Sequence, residues 1–567
     1  MRRSPVLPSI LAAVVLTACA GSGPPKADIE RGEDRRHADL LTAGLGLDGL
    51  RQPPRLPEDG TAPTPAELRR LAVHSNYAGL IDRSSGAGLE ALPAIPGVER
   101  HGWVRLPGRR HPARLMVQVP DALDTARPCL VVSASSGSRG IYGALPVGGP
   151  WALPRGCAFA TTDKGAGTDL FDHPSDTGVT LDGTRAARGE AALGFAPPAL
   201  DRLRVSLPHA HSGDHPEADW GRYTIEAARF GLETLEALWS GPEPMPEVRV
   251  IAVGLSNGGG AVLRALEQAP TGLFDAAVVA APNVTPPGAR PLFDYATEAA
   301  LFQPCLLADP QALAGLPLAN PMLVGPARAR CESLAAAGLI DEPTPAAARA
   351  VLEAGGFDEH ALTQVAVNVT LDVWRSVAAL YASSYLRSSV DAMPCGYTSG
   401  VRGPEGATVA AGAVARNLWW ATSSGVVPGG GVEWVQPVDG ESSDPHFERL
   451  ACLRALWTGD GPDARALRRA VEATRATAEL PAIPIVVLHG RRDGLIPAAF
   501  SARPYIEAAR TAGADELEYR EIENAQHFDS LVAFPGLAGT YVPLLPLTWA
   551  AMDEVAARLD RQETAGR

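Results

Sequence analysis

Short runs that are apolar on both faces recur along this chain with helical stretches between them. That pattern restricts the fold more than any other feature. The runs are 115–119, 129–133, 157–161, 248–253, 276–281, 483–488 and 517–522. A strand with one wet face alternates apolar and polar residues, whereas a run apolar on both faces needs cover on both sides. The cover is present in the chain. Residues 220–239 place Ile225, Ala228, Leu232, Leu235 and Leu238 at helical spacing, and further helical stretches span 258–268, 498–511 and 548–559. Strands alternating with helices predict an α/β architecture, a doubly wound, mostly parallel sheet.

The alternation stops between 285 and 480. Within that stretch Thr344-Pro345 opens a helix that Gly355 closes, and Val373, Val377, Leu380 and Tyr381 form another helical stripe. Residues 399–434 are irregular and glycine-rich and carry Trp419, Trp420 and Trp434. We read 285–480 as a large, mainly helical cap inserted over the strand ends. The predicted division is a leader at 1–19, a tether at 20–37, an N-terminal extension at 38–110 with a short helix at 65–74, and a core built from 111–284 and 481–567.

The leader reads as an export signal. Arg2 and Arg3 precede an apolar run at 10–16, too short for a membrane span. Leu16-Thr17-Ala18-Cys19 then resembles a bacterial lipobox, which makes Cys19 a candidate for lipidation and membrane anchorage. The expected location is extracytoplasmic: secreted, periplasmic or held at the outer membrane as a lipoprotein. Six further cysteines, an even number in an exported chain, point to disulfides, and local closure favours Cys305 with Cys331. A formal net charge of −14 disfavours nucleic acid as a partner.

The chemistry centres on Gly254-Leu255-Ser256-Asn257-Gly258. This G-x-S-x-G sits directly after one β-run and directly before a helix, the context of a nucleophile elbow. Ser256 is the candidate nucleophile, and the Asn257 N–H faces the developing oxyanion. A serine hydroxyl needs a general base, and α/β-hydrolases order the parts Ser, acid, His along the chain. Asp493 follows the run 483–488 on a loop, with Asp529 and Asp515 as weaker rivals. His527 is the only histidine beyond Asp493, 527 − 493 = 34 residues later, on the loop after the last run. The loop Ser135-Ser136-Gly137-Ser138-Arg139-Gly140 follows the second run and is the candidate for the other oxyanion N–H, from Ser136 or Gly137. Asp163–Gly167 opens at the same edge and is a candidate for shaping the pocket or for simple turn chemistry. His209-Ala210-His211 lacks the spacing of a helical metal pair and the carboxylates to accompany it, so neither metal nor cofactor is expected.

Several segments that are not generic to hydrolases resemble the D-(−)-3-hydroxybutyrate oligomer hydrolases of bacteria. They include Gly44-Leu45-Gly46-Leu47-Asp48-Gly49-Leu50, His74-Ser75-Asn76-Tyr77, Thr162-Asp163-Lys164-Gly165, His209-Ala210-His211-Ser212 and Pro216-Glu217-Ala218-Asp219-Trp220-Gly221. The resemblance implies an α/β-hydrolase that converts small-molecule 3-hydroxybutyrate oligomers to monomer, downstream of polyhydroxybutyrate depolymerase, with its charge-relay serine at Ser256. The terminal carboxylate of such an oligomer would suit a bidentate pair, and Arg139 is the candidate for it. Rival readings are another carboxylesterase, feruloyl- or tannase-like, whose aromatic guest would suit the cap tryptophans, and a non-catalytic surface-binding lipoprotein.

Overall fold

The computed structural model describes residues 27–55, 62–82, 92–167, 169–200, 203–403, 407–422, 432–436, 442–533, 537 and 539–566. The leader and Cys19 lie outside the described residues. Nine strands form one sheet: β1 (Asp28–His37), β2 (Gly97–Arg105), β3 (Ala113–Pro120), β4 (Cys129–Ala134), β5 (Ala158–Thr162), β6 (Arg249–Leu255), β7 (Ala276–Ala280), β8 (Ile485–Gly490) and β9 (Leu517–Ile522). Their spatial order is β1-β2-β3-β5-β4-β6-β7-β8-β9. The six strands from β5 to β9 in that order pair in parallel, and β1, β2 and β3 complete an antiparallel edge.

Alternate residues of the central strands enter opposite cores, which is why the runs are apolar throughout. Val131, Ile251, Val253, Val278, Val486 and Leu488 pack on one face. Leu130, Val132, Val250, Ala252, Val279 and Val487 pack on the other. The helices that supply the cover are amphipathic toward the sheet. Among those described, α1 (Pro65–Leu80) belongs to the N-terminal part, and α2 (Pro216–Ala237) and α3 (Asn257–Gln268) lie against the second core through Phe230, Leu235, Val262 and Leu263. Between β7 and β8 the chain leaves the sheet and forms helices that include α4 (Val373–Leu386), together with a small antiparallel sheet around Thr398–Arg402. Thr344 caps the helix Pro345–Ala354 by accepting the Ala347 N–H. After β8, α5 (Ala502–Thr511) joins the second core through Tyr505 and Ile506. Finally α6 (Leu545–Gly566) joins the first through Met552 and Val555.

Two strands depart from the sequence expectation. Asp28–His37, assigned above to the tether, is the edge strand β1, and Gly97–Arg105, assigned to the extension, is β2. Neither carries the expected apolar pattern. β1 is polar and mostly exposed, stabilised by its ladder with β2. β2 buries a charge: Glu99 is 1% exposed and accepts from Arg69, Gln118 and the Tyr142 hydroxyl. Burial alone would raise the Glu99 carboxyl, but Arg69 and His101 outweigh it and hold it well below the usual range. The helix expected at 65–74 runs on to Leu80, and its start is fixed by a capping box between Thr64 and Glu67.

Three disulfides are present: Cys129–Cys157, Cys305–Cys331 and Cys395–Cys452. The local pair expected between Cys305 and Cys331 is among them. The last bridge spans 57 residues of sequence. Closing loops of this size restricts the unfolded chain by about 3–4 kcal/mol per bridge. Cys395→Ser/Cys452→Ser is therefore expected to lower unfolding free energy by about that amount in a denaturant titration. Alkylation of any of these six thiols in unreduced, denatured protein would contradict the pairing. Among the described residues no helix is long and apolar enough to cross a membrane.

Candidate active site

β6 delivers Ser256 into the turn that starts α3. Its backbone lies at φ 60° and ψ −126°, a left-handed region that a non-glycine residue occupies only when its surroundings impose it. The surroundings do so. The Ser256 N–H donates to the Ala280 carbonyl at 3.0 Å, and its own carbonyl accepts from Gly260 and Asn283. The flanking glycines are required by close approach. A Cβ on Gly254 would stand 2.5 Å from the Gly258 carbonyl oxygen, and one on Gly258 would stand 2.2 Å from that of Ala134.

The other two residues arrive from the ends of the next strands. Asp493 lies on the loop after β8 and His527 on the loop after β9. The His527 Nε2 is 2.8 Å from the Ser256 Oγ, and its Nδ1 is 2.6 Å from the Asp493 Oδ2. All three side chains are buried. The second carboxylate oxygen of Asp493 accepts the N–H groups of Leu495 and Ile496, at 2.9 and 2.8 Å. Burial would raise the Asp493 carboxyl, but the facing His527, with hydrogen bonds from His489 and His527, holds it well below the ordinary carboxylate range. The rivals stand elsewhere. Asp529 caps the start of α6 through the Leu544 and Leu545 N–H groups, and Asp515 is exposed.

Asn257 is the first residue of α3, and its N–H has no acceptor within the chain among the described residues. Its side chain is locked, donating to the Tyr381 hydroxyl and accepting from Asn283. Across from it, the loop after β4 brings Gly137 and Ser138 to the wall of the same cavity as Ser256 and Asn257, while Ser136 is buried and outside that lining. Lys164 holds this loop, an arrangement with no local signature in sequence. Its Nζ donates to the carbonyls of Ser135 and Gly137, both at 2.6 Å. Burial pushes this ammonium down to about 7. Thus the Asp163–Gly167 turn acts on the site through a buried lysine.

The insertion supplies the apolar wall of the cavity, with Leu292, Val367, Leu371 and the α4 residues Val373, Val377 and Tyr381 at i, i+4 and i+8. Trp419 and Trp434 are buried and do not line it. Arg139 also stands outside the lining. It donates to the Gly79 carbonyl at 3.4 Å and lies 6.0 Å from the Phe528 ring, and these two neighbours do line the cavity. Burial lowers its guanidinium to about 10, and among the described residues it makes no ion pair. His209 and His211 have separate partners, Glu217 for one and the Leu207 N–H for the other.

A mostly parallel sheet, with a serine on a strained strand–helix turn and its acid and histidine on the loops of later strands, defines an α/β-hydrolase. Residues 6–565 match the family described as 3HB-oligomer hydrolase, and the chain belongs to that family. Curated relatives named D-(−)-3-hydroxybutyrate oligomer hydrolase include one from Paracidovorax citrulli (strain AAC00-1), 35% identical over 97% of this chain and 91% of its own length. Another, from Cupriavidus necator strain H16, is 35% identical over 93% of this chain and 83% of its own. Among solved structures, the rice cell wall degrading esterase LipA from Xanthomonas oryzae is matched at a TM-score of 0.37 and 12% identity, over 85% of this chain and 96% of that one.

Proposed function

We propose that this chain is a serine esterase that hydrolyses D-3-hydroxybutyrate oligomers to monomer through an acyl-enzyme on Ser256. The observation that carries the reading is the hydrogen-bonded line from Ser256 through His527 to Asp493, whose first two members line a largely apolar cavity. In the first step His527 Nε2 takes the Ser256 proton as Oγ attacks the ester carbonyl. Asp493 keeps the Nδ1 proton in place and stabilises the imidazolium. The N–H groups of Asn257 and Gly137 receive the oxyanion. His527 then protonates the leaving alkoxide. In the second step it deprotonates a water that releases the acyl group. A positioned base of this kind contributes roughly 10²–10⁴-fold.

Arg139 takes the carboxylate of the dimer's leaving unit in this reading, reached past Gly79. Arg139→Ala is expected to raise KM for the dimer about tenfold or more and to leave KM for an uncharged ester unchanged, by steady-state kinetics. An equal KM for the dimer would remove Arg139 from the site. Export and lipidation at Cys19 belong to the same reading, which puts the enzyme where extracellular or periplasmic oligomers are found.

The deciding experiment is incubation with the 3-hydroxybutyrate dimer and trimer, with chromatography of the products, for wild type and Ser256→Ala. Monomer release by wild type alone is the expected result. Inert wild type whose Ser256 still takes up a fluorophosphonate would keep the hydrolase and remove the substrate. A folded protein that takes up no probe would favour a binding role.

A further inference from the structure

A second hydrogen-bonded line of serine, histidine and carboxylate reaches the same cavity through its serine. The Ser138 Oγ is 2.6 Å from the His209 Nδ1, and the His209 Nε2 is 2.8 Å from a Glu217 carboxylate oxygen. The other oxygen of Glu217 accepts from the Ser384 hydroxyl of α4 at 2.8 Å. All four side chains are at most 3% exposed. Only Ser138 of these lines the cavity, together with Ser256, Asn257 and His527.

The direction of each bond follows from the donor inventory. One oxygen of Glu217 accepts from Ser384 and the other faces the His209 Nε2, so the carboxylate acts here only as an acceptor. The His209 Nε2 therefore carries its proton. While the imidazole is neutral, Nδ1 offers only a lone pair, and the Ser138 hydroxyl must donate to it. That commits the single proton of Ser138 and leaves its oxygen as an acceptor. An oxyanion needs donors, which the esterase reading assigns to Asn257 and Gly137, so Ser138 does not serve it. An acceptor held this way on the wall suits a hydroxyl on the ligand.

We propose that Ser138, held by His209 and Glu217, accepts a hydrogen bond from the free 3-hydroxyl of the acyl group attacked by Ser256. The inference rests on the esterase reading and extends it to the direction of cleavage. In a linear oligomer only the unit at the hydroxyl end has a free 3-hydroxyl; every other is esterified. Recognition at Ser138 therefore selects the terminal hydroxyacyl unit and releases monomer stepwise from that end. Water adds across one ester bond in each cycle, giving 3-hydroxybutyrate and the shortened oligomer.

The test compares kcat/KM for p-nitrophenyl (R)-3-hydroxybutyrate and p-nitrophenyl butyrate. In Ser138→Ala the ratio of the first to the second is expected to fall about 10–100-fold, because a site built for a hydroxyl loses its discrimination when the partner goes. A loss shared equally by the two esters leaves the ratio unchanged, assigns Ser138 a merely structural role and overturns the proposal. Fluorophosphonate labelling of Ser138 in the Ser256→Ala protein would also overturn it, by making Ser138 a second nucleophile. A measurement on wild type needs no variant to fold: a dimer whose 3-hydroxyl is methylated should be cleaved at least about tenfold more slowly than the free dimer. Equal rates would sink the idea. Wild type inert on both p-nitrophenyl esters and on the dimer would remove the esterase reading itself, and this inference with it.

Discussion

Ser256→Ala is expected to lower kcat for ester hydrolysis by about 10⁴–10⁶-fold while leaving substrate binding nearly intact. The Ser256 Oγ is the atom that His527 Nε2 faces at 2.8 Å, and removing it takes away both the nucleophile and the proton it hands over. The Asn257 N–H and the loop held by Lys164 are untouched by the substitution, so activity is expected to settle at the residual level that oxyanion donors alone support. His527→Ala should cost nearly as much. The double variant should cost little more than either, because the two side chains act as one unit. Steady-state kinetics on the three proteins checks this. Losses that multiply in the double variant would mean that Ser256 and His527 act independently, contrary to their geometry.

The turn that presents Ser256 is legible in the sequence because every physical requirement at that point is local. The strand, the turn and the helix are consecutive, and the glycines at 254 and 258 leave room for carbonyls at 2.5 and 2.2 Å. The convergence of Asp493 and His527 on Ser256 is legible through chain order, since each lies on a loop after a run that is apolar on both faces. The rest depends on partners that are distant in sequence. Ser138 and His209 are 71 residues apart, and the Lys164 Nζ reaches carbonyls 27 and 29 residues earlier. No periodicity or spacing marks such pairs. The edge of the sheet was hidden for a different reason. β1 is paired through its backbone, which any sequence can supply, and its side chains look like a solvated tether. β2 replaces the usual buried aliphatic residue with Glu99 and satisfies it from Arg69, Gln118 and Tyr142, residues from three separate elements. The α4 stripe of Val373, Val377 and Tyr381 was visible as a helix face. That the face turns toward the reaction cavity follows only from the packing.

Asp493→Asn should cost about 10⁴-fold in kcat while the protein stays folded, and the reason lies in the two unequal oxygens of this carboxylate. One oxygen accepts two N–H groups, from Leu495 and Ile496, and the other faces the His527 Nδ1 at 2.6 Å. An asparagine has one acceptor and one donor end. Turning its NH₂ toward Leu495 and Ile496 would oppose donor to donor twice, so its oxygen must keep that place. Its NH₂ then points at His527 Nδ1 and donates to it. The imidazole is left with its proton on Nε2, the nitrogen that must accept from Ser256, and it can no longer act as base. Asp493→Ala leaves the two N–H groups unpaired instead, and should lose about 1–3 kcal/mol more stability than Asp493→Asn. Rate and stability thus separate: the amide keeps the loop and loses the tautomer, whereas alanine loses both. If Asp493→Asn retained kcat within tenfold of wild type, the carboxylate would not be what orients His527, and the acid of this site would have to be sought elsewhere.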